Sequence, residues 1–301
     1  MSKNHFCTII TENYLPYAIA LFQSLQQQDA NAILSVLIVD GSIRSTENEF
    51  PEGLNIVNKH ELSGVPFSSE IEKKYFNPRK NDRYRWSMKP VFLNFLISKG
   101  FKKVIYLDSD LYFFSSYQFL FDYLDKHTAI LTPHWRSLDV SGDLKDFTNN
   151  YTNGFFNGGF VGVNENATEL LIWWAKMCYH KCERNYSKCL YDDQGYLSLF
   201  PLIDENVKII HHRGCNVASW NDIENKRINV NGEIKINGKY PIVFIHFSEQ
   251  LFKRTINGKD TSLQEYLFYY LKQLIKNGVK PKKDWIKWLN QKNDRKNPNY
   301  E

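Results

Sequence analysis

Val104-Ile-Tyr-Leu-Asp-Ser-Asp110 is the stretch that decides how this chain folds. The unbroken apolar run from Val104 to Leu107 reads as a strand buried on both faces, the kind found in parallel sheets covered by helices. It ends directly in two carboxylates spaced two residues apart. In open α/β sheets, ligands gather beyond the carboxyl ends of the strands, so Asp108 and Asp110 stand where chemistry is expected. Together they reach one hard divalent cation, since Mg2+ and Mn2+ prefer oxygen ligands and bridge to phosphate oxygens. A solvated turn is the plain alternative, and the apolar strand in front of it argues for function.

Working outward, Phe6-Cys-Thr-Ile-Ile is a strand and Thr11-Glu-Asn a polar turn. Pro16 then opens a helix with Ala18, Leu21, Phe22 and Leu25 on one face. Leu34 to Val39 is a second buried strand, ending at Asp40-Gly41. A strand–helix–strand opening implies a parallel pair joined by a right-handed crossover. Residues 41–85 are weakly patterned and rich in turn residues. Pro90 to Lys99 reads as a helix stopped by Gly100.

Downstream, Ala129 to Thr132 and Phe160 to Val163 are strands, and 135–155 reads as a loop. Asn166 and Glu169 cap a helix that buries Leu170, Leu171, Trp174 and Met177. A short helix over Gln194 to Leu199 follows, then strands at Val207 to Ile210 and Ile242 to Ile245. A last helix carries Leu263, Leu267, Leu271 and Leu274 and closes at Gly278. Strands alternate with helices, without repeats or low-complexity linkers. This pattern predicts an α/β domain over residues 1–260, built on a mixed, mainly parallel sheet, with a helical, basic extension over 261–301.

Composition narrows the partners. The chain has 301 residues, ample for a sizeable core, and a formal net charge of +5. Lysines crowd Lys272 to Lys296, where Asp284 and Asp294 are the only acids. Basic residues do not stripe the body and no base-reading motif occurs, so nucleic acid is not the expected partner. The polar start, Met1 to His5, and the lack of any run of membrane-span length predict a cytoplasmic protein. The lysines around Trp285 and Trp288 suggest peripheral contact of residues 279–301 with an anionic membrane; a solvated basic tail is the alternative. Five cysteines, an odd number, point to free thiols. Cys178, Cys182, Cys189, His211, His212 and Cys215 make a structural zinc conceivable, although no C-x-x-C pair is present.

Other candidates are weaker singly. His246 closes the strand Ile242 to Ile245 and becomes a third metal ligand if that strand lies beside the Asp108 strand. In Asn157-Gly158-Gly159, glycine permits close approach of the backbone to a ligand and the amide bonds a hydroxyl. Asp192-Asp193-Gln194 opens a helix, where acids cap by default. Lys89, just before a helix, suits a phosphate-facing cation.

In this order the pieces resemble the glycosyltransferases of the GT-A fold, and among them the glycogenin-like and bacterial lipopolysaccharide galactosyltransferase-like family 8. The likeness spans roughly residues 5–255 as spaced motifs. Thr11-Glu-Asn-Tyr14 resembles the family's first loop, whose tyrosine packs on uracil. Ser87-Met-Lys89 falls where the family carries a basic residue near the donor. Val104 to Asp110 resembles its metal motif, and Asn157-Gly-Gly-Phe160 its sugar-contacting segment. Asp193-Gln194 resembles the Asp-Gln pair beneath the donor sugar. Phe244-Ile-His-Phe247 is similar to its metal-ligand strand, with Lys253 near the expected phosphate-binding lysine. Glu12 replaces the usual Asp, and Gly195 replaces the acid after the Asp-Gln pair. The family's glycine after the histidine and its Pro-Trp after the lysine are absent.

The resemblance implies metal-dependent transfer of a sugar, with retention, from a nucleotide-diphosphate donor (a UDP-sugar) to a glycan or lipid-linked acceptor in bacterial surface polysaccharide or lipooligosaccharide synthesis. It implies Mn2+ or Mg2+ on Asp108, Asp110 and His246. It places Thr11, Tyr14, Asp40, Lys89, Asp108, Ser109, Asn157, Gly158 and Lys253 at the donor, and Asp192, Asp193 and Gln194 at the reacting centre. The alternatives are an inverting enzyme with Asp192 or Asp193 as base, a nucleotidyltransferase or phosphohydrolase using the same aspartates, and a non-catalytic sugar-binding protein. The nucleotidyltransferase reading requires a glycine-rich phosphate loop after the first strand, and none lies between Thr8 and Pro16.

Overall fold

The apolar runs lie side by side in one seven-stranded sheet, in a computed structural model that describes residues 4–41 and 50–296. The chain runs through β1 (His5–Ile10), α1 (Leu15–Gln26), β2 (Ile33–Ile38), β3 (Leu54–Asn58), α2 (Ser68–Tyr75), α3 (Asp82–Ser87), α4 (Lys89–Ser98), β4 (Lys103–Leu107) and β5 (Leu111–Phe113). It continues through α5 (Gln118–Leu124), β6 (Ala129–Pro133), α6 (Leu144–Thr152), β7 (Phe156–Asn164), α7 (Thr168–His180), β8 (Arg184–Asn185), β9 (Leu190–Tyr191), α8 (Phe200–Ile203) and β10 (Val207–Ile209). Then come β11 (Arg227–Val230), β12 (Glu233–Ile236), β13 (Tyr240–Pro241), β14 (Phe244–His246), α9 (Glu249–Ile256), α10 (Gln264–Lys276) and α11 (Lys283–Lys296).

The sheet order is β10-β6-β7-β4-β1-β2-β3. β7 runs antiparallel to both neighbours, and the other pairings are parallel. Successive side chains of a strand point to opposite faces. In β4, Val104 and Tyr106 enter the core beneath α4 and α7, while Ile105 and Leu107 enter the one beneath α1 and α5. The mixed, mainly parallel sheet of the sequence reading is therefore present.

Three expectations change. Within 41–85 the chain forms β3, α2 and α3, with 42–49 outside the described residues. α2 fully buries only Ile71 among its apolar residues, which is too little to print a helical period. Within 135–155 lies α6, whose N-cap Asp143 accepts from Asp146 N at 2.9 Å. The strand that carries His246 pairs antiparallel with β5, not with β4.

The C-terminal helices share a core with the body. α9, α10 and α11 pack with Ala20 of α1 and Tyr112 of β5. Trp285 stacks on Phe252 at 5.0 Å and 7°, and Trp288 lies edge-on to Phe268. Both tryptophans are buried, so the rings that suggested an interfacial helix are committed inward. Lys283, Ile286 and Lys287 face outward instead. No helix among the described residues is long and apolar enough to cross a membrane.

Candidate active site

β4 ends at Leu107, and the turn after it is tied from several sides. Asp108 N donates to Gly159 O (2.8 Å), Leu111 N to Asp108 O (3.2 Å) and Phe247 N to Asp110 O (2.9 Å). Ser109 is buried within the turn. Because His246 pairs with Leu111, its ring arrives beside Asp110. One ligand atom from each of Asp108, Asp110 and His246 lies within 4.8 Å of the others, and His246 Nε2 is 3.1 Å from Asp110 Oδ1. Among the described residues this is the one such group. All five cysteines are free and none joins a cluster of this kind.

The donor set fits a divalent cation: two hard oxygens and one imidazole nitrogen. The cradle is also the right size only with glycine behind it. A Cβ on Gly159 would stand 2.6 Å from His246 Cε1, 2.8 Å from Asn157 Oδ1 and 2.9 Å from Asp108 Oδ2. His246 Nδ1 donates to Asn216 Oδ1 (3.3 Å), while Asn216 Nδ2 donates to Thr132 Oγ1 (3.0 Å). That fixes the tautomer and leaves Nε2 as the ligating nitrogen. Burial pushes the Asp110 carboxyl up, but His246 outweighs burial and holds it below the usual range. Burial lowers His246, and Asp110 more than reverses this.

A second network adjoins the first. Lys89 opens α4 and is buried. Its Nζ donates to Gly158 O (2.7 Å) and lies 3.1 Å from Asp193 Oδ2 and 3.6 Å from Asp108 Oδ1. Burial lowers the Lys89 pKa, but Asp108 and Asp193 together raise it above its ordinary value. Burial pushes Asp193 up to about 6 against the pull of Lys89. Gln194 Oε1 accepts from Gly158 N (2.8 Å) and Asn157 Nδ2 (3.3 Å), and Gln194 Nε2 donates to Asn153 O (2.9 Å). The Gln194 amide is thus spent on holding β7 in place. Asn157 Nδ2 also reaches His134 Nε2 (3.3 Å). His134 Nδ1 donates to Gly154 O (2.8 Å), so Nε2 is the acceptor, and burial holds the ring neutral with a pKa near about 3.

Asp192 and Asp193 part company at the backbone. Asp192 has φ +49°, a left-handed conformation that is uncommon outside glycine. It directs Asp192 toward Arg184, whose Nε lies 2.5 Å from Oδ2, while Asp193 meets Lys89. Arg184 is itself held over the rings of Trp86 (4.9 Å) and Tyr191 (4.8 Å).

Two cavities flank this centre. One of about 180 Å³ is lined by Tyr14, Tyr17, Asp110, Phe247 and Lys253, together with residues of α9 and the C-terminal segment. Thr11 and Asp40 do not line it: Thr11 Oγ1 donates to Asn13 Oδ1 (2.6 Å), and Asp40 Oδ1 accepts from Glu12 N (2.9 Å). The other, of about 800 Å³, is edged by Tyr186, Tyr191 and Trp220, and the Trp220 ring sits 5.0 Å from that of His246. Sequence reasoning missed Arg85, whose guanidinium lies 5.8 Å over the Tyr14 ring, and also Asn216, Arg184, His134 and Trp220. The only signal for Arg85 was a basic, aromatic segment, Arg83-Tyr-Arg-Trp86, just ahead of Lys89.

The fold is that of the GT-A glycosyltransferases. The fold resembles the galactosyltransferase LgtC crystallised with donor and acceptor sugar analogues (TM-score 0.55, 15% identity, covering 95% of this chain and 100% of that one). It also resembles mouse xyloside xylosyltransferase 1 (TM-score 0.50, 15% identity, covering 82% and 98%). Within that class the chain belongs to Glycosyl transferase family 8, whose sequence profile matches residues 6–249. It is similar to two uncharacterized proteins of Bacillus subtilis (strain 168). YfnD is 30% identical over 256 residues, covering 82% of this chain and 78% of the relative. YfnF is 26% identical over 256 residues, covering 81% and 80%.

Proposed function

We propose that the enzyme moves a hexosyl group from a UDP-sugar to a hydroxyl of a glycan or lipid-linked glycan, with Mn2+ or Mg2+ held by Asp108, Asp110 and His246. The carrying observation is the double position of Asp110: it belongs to the three-ligand group and also walls the cavity that contains Tyr14 and Lys253. In this reading the base lies on Tyr14 near Arg85, and Lys253 binds the diphosphate. The donor sugar lies toward Asn157, Lys89 and Asp193. A bound cation supplies charge neutralisation as the bond from sugar to diphosphate breaks.

Asp193, kept ionised by Lys89, accepts from a sugar hydroxyl. Gln194 keeps the Asn157-Gly158 backbone against that sugar and acts by positioning. The aromatic edges of the larger cleft offer flat faces to an acceptor saccharide. Family membership supports retention, with the acceptor oxygen approaching on the side that the diphosphate leaves. An inverting enzyme would need Asp192 or Asp193 as a free base, and their ties to Arg184 and Lys89 weigh against it. The resemblance to the family suggests a role in bacterial surface polysaccharide synthesis at the cytoplasmic side. Contact with an anionic membrane would use the outward lysines of α11, not its tryptophans.

Proton NMR of the sugar first released from the donor by hydrolysis is the test. Retention gives the anomer of the donor; the opposite anomer would establish inversion and overturn this part of the reading.

A further inference from the structure

We infer that the start of the C-terminal helix is a working wall of the nucleotide cavity, and that Lys282 is a second cation for the donor diphosphate. The inference rests on the donor reading above and adds a residue beyond it. The family profile matches residues 6–249, so Lys282 lies beyond the matched residues.

The cavity beside Asp110 is assembled from both parts. Tyr14, Tyr17 and Asp110 come from the body, Lys253 from α9, and Lys282, Asp284 and Trp285 from the C-terminal segment. The docking that brings them together is specific. Trp285 is buried in a parallel stack on Phe252, the residue before Lys253, so one aromatic contact sets the position of both lysines. Trp285 also meets the Lys282 ammonium at 5.7 Å from its ring centre, which steers that cation. Among the described residues no carboxylate lies within ion-pair distance of Lys282, whereas Lys253 is paired with Glu249 at 2.9 Å. Lys282 is therefore the ammonium of this cavity that no direct ion pair holds, although its charge, after that of Lys253, helps to lower the Glu249 carboxyl.

The charge balance supports an anionic occupant that arrives with a metal. The lining holds three carboxylates, Asp110, Glu249 and Asp284, against two ammoniums, Lys253 and Lys282. A divalent cation on Asp110 turns that excess of negative charge into an excess of positive charge. Phosphate oxygens beside such a cation are then drawn to the ammoniums on the rim.

Calorimetric titration of the full chain with UDP and with uridine, each in saturating Mn2+, separates the possibilities. Lys282→Ala should weaken UDP about tenfold, the loss of one charge-assisted hydrogen bond, and leave uridine unchanged. Lys282→Glu should weaken UDP further. Lys287→Ala, an outward lysine of the same helix, should change neither. UDP affinity within twofold of wild type in both Lys282 variants overturns the inference and leaves the donor reading standing. Equal losses for UDP and uridine also overturn it, because they mean a general disturbance of the cavity. A wild-type protein that binds no UDP overturns both.

Discussion

Asn216 determines which nitrogen of His246 faces the acids. Its own backbone has φ +61°, which glycine tolerates, so Asn216→Gly removes the amide without adding strain. Loss of such an outer partner typically costs ~10- to 100-fold in metal affinity. Calorimetric titration with Mn2+ should show that drop; wild-type affinity would mean that the ring orients itself. Asp193 is expected to set the acid limit of activity. Burial pushes its carboxyl up to about 6 against the pull of Lys89. The ionised form is the one that pairs with Lys89, so kcat/KM should fall as pH drops through that value. Lys89→Met removes the downward pull and should move the acid limb to higher pH; an unmoved limb would assign it to another group. Asp108 and His246 were legible in sequence because each ends an apolar run, and Asp110 because it pairs with Asp108 two residues on. Asn216 and Arg184 were not, because a bend in the chain gives each its role: Asn216 lies in a loop 30 residues before His246.

α11 shows where composition misleads. Its lysines read as a tail, while the helical spacing tells a different story: Trp285 and Trp288, three residues apart, lie on one face and fill a core. Trp288→Ala should therefore cost ~3 kcal/mol in urea unfolding, as truncation of a buried tryptophan does. A solvated tail would lose no more than ~0.5 kcal/mol, and that result would contradict the docking. α6 was hidden for the opposite reason. It is polar and capped by Asp143, with little apolar face to announce it, and it is held by contacts such as Arg136 to Asp146 at 2.9 Å. The parallel strands were the easiest elements to read, since burial on both faces leaves an unbroken apolar run.

In the molecule as a whole, the sheet puts chemistry beyond the carboxyl end of its central strand. β4 sits at the centre of the seven strands, β7 is reversed beside it, and β14 closes on β5 just past the turn. Sequence carried the fold class and the aspartate pair. The reversal of β7 and the pairing of β14 with β5 depend on contacts far apart in the chain, and local pattern does not encode them. These long-range pairings bring Gly159 and His246 to Asp108 and place the centre between a small cavity and a larger cleft. The measurement that bears most directly on this centre is nucleotide release from a panel of UDP-, GDP-, CMP- and dTDP-sugars, with Mn2+ and with EDTA, for the wild type and Asp110→Ala. Release from a UDP-sugar that EDTA abolishes and Asp110→Ala loses is the expected result. Release indifferent to EDTA and to Asp110, or neither release nor metal-dependent nucleotide binding in the wild type, would contradict a metal-dependent glycosyltransferase site at these residues.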